Sequence, residues 1–193
     1  MAGQVQIRNA ELVSLLSADF INCWIPIAQA VLTEPAAVIT FDNIPGNFRA
    51  IVLSVQARSD AQSEEDYVTL QFDEDVGNNY DWIRVYFECS ATSYSCNLAQ
   101  TSMQIGQVDG ASARVQNYPT FTTWVIGHAL VDREKWVYTE NSGRFGDVSA
   151  STDLRIALFR GRWRDTSAVG QIDLAMATGN FEAGSRLALY GIL

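Results

Sequence analysis

One histidine, three cysteines and 13 basic residues against 22 acidic ones set the first limits on this 193-residue chain. The lone His128 excludes metal sites built from several imidazoles, and any Ser-His-Asp triad would have to be assembled on it. No Gly-x-Ser-x-Gly elbow is present to support such a triad. Three cysteines are too few for a disulfide framework, and no C-x-x-C spacing offers a zinc or redox pair. The formal charge of −9 opposes a role in coating nucleic acid, where clustered Lys and Arg must neutralise phosphate. No apolar run approaches the ~20 residues that span a bilayer, so no membrane partner is expected. The N-terminus lacks a basic region followed by an unbroken apolar stretch. A cleaved signal peptide is therefore not expected, and synthesis in a cytoplasm is.

What is present is apolar and aromatic. Apolar residues make up 48% of the chain and charged residues 18%, which places it among globular proteins and gives it enough chain for one domain with a real core. The rings (five Trp, seven Tyr, nine Phe) suit pleated, half-buried surfaces and interfaces.

From about Ile25 onward, short apolar segments alternate with turn residues. Ile51, Leu53, Val55 and Ala57 follow a period of two, as do Val68, Leu70 and Phe72, and then Ile83, Val85 and Phe87. That period marks half-buried antiparallel strands. Further candidates are Val38–Phe41, Met103–Val108, Phe121–Leu130, Lys135–Thr139, Leu154–Trp163, Ile172–Thr178 and Arg186–Leu189. Roughly ten strands with no interleaved helical stretch predict an all-β protein, an antiparallel β-sandwich or barrel. Turns are placed by Asn43-Ile44-Pro45-Gly46-Asn47, by Asp75-Val76-Gly77-Asn78-Asn79, by Asn141-Ser142-Gly143 and by Thr178-Gly179-Asn180. The C-terminal strand is expected to pair inside a sheet.

Residues 1–24 break this pattern. Leu12, Leu15, Leu16 and Phe20 fall near helical spacing after Asn9, a possible N-cap, so the segment reads as a short helix or arm, or else as a packed terminal strand. The division expected is an N-terminal arm or anchor over 1–24 and a β-sandwich over 25–193. Cys89 and Cys96 flank a hairpin tip and either pair across it or remain free thiols. Cys23 reads as a small buried hydrophobe.

Candidate chemistry is sparse. The acidic loop offers Asp73, Asp75 and Asn78 as oxygen donors for calcium, although no glutamate closes an EF-hand at the twelfth position; solvated loop charge is the alternative. Arg160, Arg162 and Arg164 share one face of a strand and are candidates for an interface that docks the acidic 64–81 segment of a neighbouring copy. Tyr80 and Trp82 are candidates for a glycan-stacking platform. His128 shares parity with Trp124, Ile126 and Leu130 and reads as an inward-facing core or interface histidine. No cofactor is implied.

Three segments carry a resemblance. Ile44-Pro45-Gly46-Asn47-Phe48-Arg49 leads into an apolar strand that closes on Ala57-Arg58-Ser59. Leu70-Gln71-Phe72-Asp73 is followed by Gly77-Asn78-Asn79-Tyr80, and Phe181 to Ile192, with Gly179 before it, completes a Gly-x-Phe-x-x-Gly-Ser…Leu-Tyr-Gly ending. In this order they resemble a jelly-roll-like β-sandwich found in virion structural proteins of tailed bacteriophages, with Asp73 standing where that pattern has Asn. The resemblance implies a capsid decoration, head-fibre or tail component and brings no catalytic residues. It leads to the expectation of a non-enzymatic structural protein of the virion, self-associating as a homotrimer and attached to capsid or tail proteins through the N-terminal segment. The alternatives are a receptor-binding, lectin-like module for a host surface glycan and, third, a hydrolase built on His128.

Overall fold

The computed structural model describes residues 3–7, 24–88, 92–114, 117–144 and 154–193. They form thirteen strands: β1 (Gly3–Ile7), β2 (Trp24–Val31), β3 (Ala36–Phe41), β4 (Ala50–Gln56), β5 (Glu65–Phe72), β6 (Tyr80–Glu88), β7 (Thr92–Gln100), β8 (Met103–Asp109), β9 (Thr120–Ile126), β10 (Lys135–Arg144), β11 (Leu154–Trp163), β12 (Ile172–Met176) and β13 (Arg186–Ile192). One sheet has the order β1-β3-β12-β5-β8 and the other β2-β13-β4-β9-β10-β11-β6-β7. The chain is thus the all-β sandwich expected from its period of two. β2 and β3 lie in different sheets, and β12 and β13 follow beside them in the reverse sense, which is the rolled connectivity of a jelly roll.

One feature differs from a purely antiparallel plan. β1 lies parallel to β3 at the edge of the smaller sheet, so residues 3–7 belong to the sandwich. The helical spacing at Leu12–Phe20 lies outside the described residues, as do Cys23 and Cys89. Cys96 is a free, exposed thiol. The closing strand β13 sits inside the larger sheet, antiparallel to both β2 and β4, as the C-terminal strand was expected to.

The core lies between the sheets. Ile51, Leu53 and Val55 of β4, Phe121 and Val125 of β9, and Leu187 and Leu189 of β13 face Ile39 and Phe41 of β3, Leu70 and Phe72 of β5 and Leu174 of β12. Two glycines let the layers interlock. A Cβ on Gly106 would lie 2.4 Å from the Phe121 ring, and one on Gly161 would lie 2.9 Å from the Met103 sulfur. Each glycine is a socket for a large side chain from the facing sheet, and close-packed interiors leave no slack for an added carbon.

β6 reverses the expected direction of its side chains. Ile83 and Phe87 are exposed, whereas Tyr80, Trp82 and Tyr86 are buried. Tyr80, Trp82 and Tyr86 win the core because together they bury more surface, and Ile83 and Phe87 are left on the outer face of the larger sheet.

Candidate functional site

Four residue groups were singled out by sequence, and most of their side chains are used internally. Asp73 Oδ1 accepts from the amides of Gly170 and Gln171, at 2.9 and 2.8 Å. Asp75 accepts from the Gly77 amide, from Asn79 Nδ2 and from Trp163 Nε1 at 2.6 Å. Burial opposes ionisation of Asp75, but these three donors outweigh it and hold the carboxyl below its usual range. At Asp73, burial raises the carboxyl despite its two amides. The Asn78 carbonyl accepts from Arg164. These residues fasten a turn and a neighbouring loop, and no group of three acidic, His or Cys side chains arranged for a metal ion occurs among the described residues.

The expected sugar platform at Tyr80 and Trp82 is not a surface. Tyr80 is fully buried, with its hydroxyl 2.9 Å from the Phe72 amide, and burial pushes its phenol well up. Trp82 is 8% exposed. Both rings fall on the inward parity of β6, which period alone could not assign.

The arginines do alternate as expected, with Phe159 and Trp163 buried between them. Arg162 binds Asp81 at 2.8 Å and Glu134 at 3.2 Å, and Arg164 approaches Asp81 at 3.7 Å. Burial works against the Asp81 charge. The Ala99 amide and the two guanidinium groups overcome it and keep the carboxyl low. Arg160 differs: it donates to the carbonyls of Thr139 and Phe159 and lies 5.1 Å over the Tyr138 ring. Among the described residues it has no carboxylate partner.

His128 is buried in the turn that follows β9, its Nε2 3.1 Å from the Pro45 carbonyl. Burial depresses its pKa. It has no serine or carboxylate partner among the described residues, and it holds the Pro45 turn against the 127–130 turn.

What remains is a surface. Strand register aligns Tyr190, Val52, Trp124, Tyr138, Arg160, Ile83 and Cys96 in one row across the outer face of the eight-stranded sheet. The adjacent row runs Ile126, Trp136, Arg162 and Asp81. Trp24 packs edge-on to Trp124 at 5.6 Å and against Tyr190 at 5.5 Å. On the other side of the central row lie Thr122, Glu140, Leu158 and Val85, and then Thr120, Ser142, Ile156 and Phe87. Trp136, Ile156 and Phe87 keep 46%, 51% and 45% of their surface exposed. Large apolar side chains half open to water across one contiguous sheet face are the mark of a docking surface. Shallow hollows of about 330 and 470 Å³ on this face are bordered by Gln29, Ser54, Gln56, Thr120, Thr122, Glu140 and Ser142. Sequence reading missed the face because its members come from eight strands whose order cannot be read from spacing.

A buried charged corner lies elsewhere, where the first and last resemblance segments meet. Arg58 donates to the carbonyls of Gly110, Ala113 and Arg114 and pairs with Glu182 at 3.2 Å. Its amide donates to Ser185 Oγ, and Ser59 Oγ donates to Asp66. Asp66 also accepts the Thr178 and Gly179 amides.

Beside this corner, burial raises Asp109 to about 6, partly offset by Asn117 and Arg58. A carboxyl raised in the folded state binds protons there more readily than when unfolded, so its ionisation costs stability as pH rises from about 4 through 6. Asp109→Asn is therefore expected to raise stability at pH 7.5 by about 1–2 kcal/mol, discounted for solvent screening and for lost attraction to Arg58. His128 acts in the opposite sense: its depressed pKa supplies stability above about pH 6.5 that fades as pH falls. The informative measurement is the difference between variant and parent in urea unfolding at pH 5 and 7.5. It should be small at pH 5 and favour the variant at 7.5; equal differences at both pH values would refute the assignment.

No protein-family model matches the chain, and no curated protein does. Among solved structures, the CBM40 module of the Ruminococcus gnavus IT-sialidase bound to alpha2,3 sialyllactose covers 86% of this chain and 92% of its own, at 11% identity and a TM-score of 0.28. The same module bound to alpha2,6 sialyllactose gives 13% identity and a TM-score of 0.25, with 86% and 93% covered. Superpositions this loose assign no site, and the fold described above stands on its own strand order.

Proposed function

We propose that this chain is a non-enzymatic structural component of a bacteriophage particle, a β-sandwich that assembles through the outer face of its larger sheet. The observation that carries the reading is that face, with Trp24, Trp124, Trp136, Tyr138, Ile156 and Phe87 gathered on one side of the molecule. Support for the viral setting is the resemblance of three segments to virion sandwich proteins. Two of those segments are now explained as fold staples around Arg58 and Asp66. The physical role is burial of apolar and aromatic surface at assembly, with charged neighbours fixing register.

The test is protein mass spectrometry and antibody-gold labelling of gradient-purified particles from infected cells that make the chain. Regular labelling at repeated positions on head or tail is expected. A chain abundant in the lysate and absent from the particles would sink the proposal.

A second reading, a glycan-binding module, is favoured by one observation. The hydroxyl and amide side chains of Ser54, Gln56, Thr120 and Thr122 line shallow hollows on the same sheet face as Trp124, and sugars combine polar rims with apolar faces. A glycan array should then give hits that Trp124→Ala abolishes; a blank array removes this reading.

A further inference from the structure

We infer that the outer face of the eight-stranded sheet is closed in solution by the same face of a second copy of this chain, related by a two-fold axis. The inference rests on the assembly role proposed above and names the partner.

Area is the first argument. The half-exposed rings and aliphatic side chains of this face leave open on the order of 800 Å², taking aromatic side chains as about 150–250 Å² each. A standard stable interface takes about 800 Å² from each partner. A face of that size on a lone molecule leaves a large apolar surface in water, and a copy of the same face covers it at one step.

Charge is the second. At the centre of the face, register pairs Tyr138 with Arg160 and Glu140 with Leu158 on β10 and β11. Arg160 and Glu140 are therefore diagonal neighbours, about 7–8 Å apart at Cα, and they form no ion pair with each other. Neither has an oppositely charged partner among the described residues, whereas Arg162, farther along the strand, already binds Asp81 and Glu134. The Arg160 guanidinium lies over Tyr138 and spends donors on the Thr139 and Phe159 carbonyls, with its remaining edge free. A two-fold axis through this square of four residues sets Arg160 of each copy against Glu140 of the other. One surface then carries both halves of its own complement, as an isologous interface requires. The apolar side chains around this square are bordered by the already paired Arg162–Asp81–Glu134 group, which supplies a polar rim. The arrangement replaces the three-fold assembly expected from sequence, because a face that complements itself closes in pairs.

Sedimentation of the full chain should show a dimer with a Kd at or below about 10 μM. Arg160→Glu places two acids together and Glu140→Arg two bases, so each variant alone should associate at least about tenfold more weakly. An equimolar mixture should recover the dimer, because each contact then joins unlike charges again. Both side chains lie on the outer face, and unchanged circular dichroism will show that the variants fold. A parent chain that stays monomeric at about 100 μM, a trimer, full association of either variant, or a mixture that stays monomeric would each overturn the inference. A dimer obeying the exchange rule yet absent from particles removes the viral reading and leaves this inference standing. A monomeric chain found on particles does the reverse.

Discussion

Replacement of Arg58 by alanine is expected to cost about 3–5 kcal/mol, the loss typical when one partner of a buried charged network is removed. Arg58 is 4% exposed and fills the space beneath the 110–114 loop, donating to Gly110, Ala113 and Arg114 carbonyls at 2.8, 3.1 and 2.5 Å. Without it these carbonyls lose their donor, and Glu182 and Asp109 lose the positive charge beside them. Buried polar groups left unpaired carry their full desolvation penalty. Lysine should recover little, since a single ammonium cannot reproduce a planar fork reaching several carbonyls. Urea unfolding monitored by tryptophan fluorescence measures the loss. A midpoint within error of the parent would show that the loop is held by other means.

Trp163→Ala should be about as severe, again about 3–5 kcal/mol. The indole is 2% exposed, 5.3 Å from the Phe72 ring and stacked on Tyr80 at 6.4 Å and 19°. Its Nε1 donates to Asp75 Oδ2, and the Lys135 ammonium lies 5.9 Å over its face. Removing it opens a cavity beside Phe72 and Tyr80 and takes from Asp75 one of the donors that keep it ionised. Trp163→Phe keeps most of the packing and loses only the donor, so it should fall well short of the alanine cost. Comparable losses in the two variants would place the stabilisation in the hydrogen bond.

The fold was legible from sequence because its signal is local. β5 reads Glu65–Phe72 with every second residue buried, and β13 follows the same rule; period two needs no partner strand to be visible. β6 was harder, because both of its faces are apolar and period alone cannot say which wins the core. Tyr80 and Trp82 turned inward for that reason, and the surface expected at them vanished. Asp73 and Asp75 looked like ligands because a carboxylate that fastens a turn and one that waits for calcium have the same spacing. The difference lies in donors such as Trp163 and Gly170, which are about 90 residues away in sequence. The outer face was illegible for a related reason. Tyr190, Trp124 and Tyr138 become neighbours only once β13, β4, β9 and β10 have taken their order.

The placement of β13 between β2 and β4 has a mechanical consequence. A tether attached beyond Leu193 and drawn along the strand axis would load two hydrogen-bonded ladders in shear at once, so they cannot be peeled apart one bond at a time. Such a pull must rupture both sides of a seven-residue strand together, which makes the rate of forced unfolding slow for the size of the segment. A load applied there would be passed to the whole larger sheet.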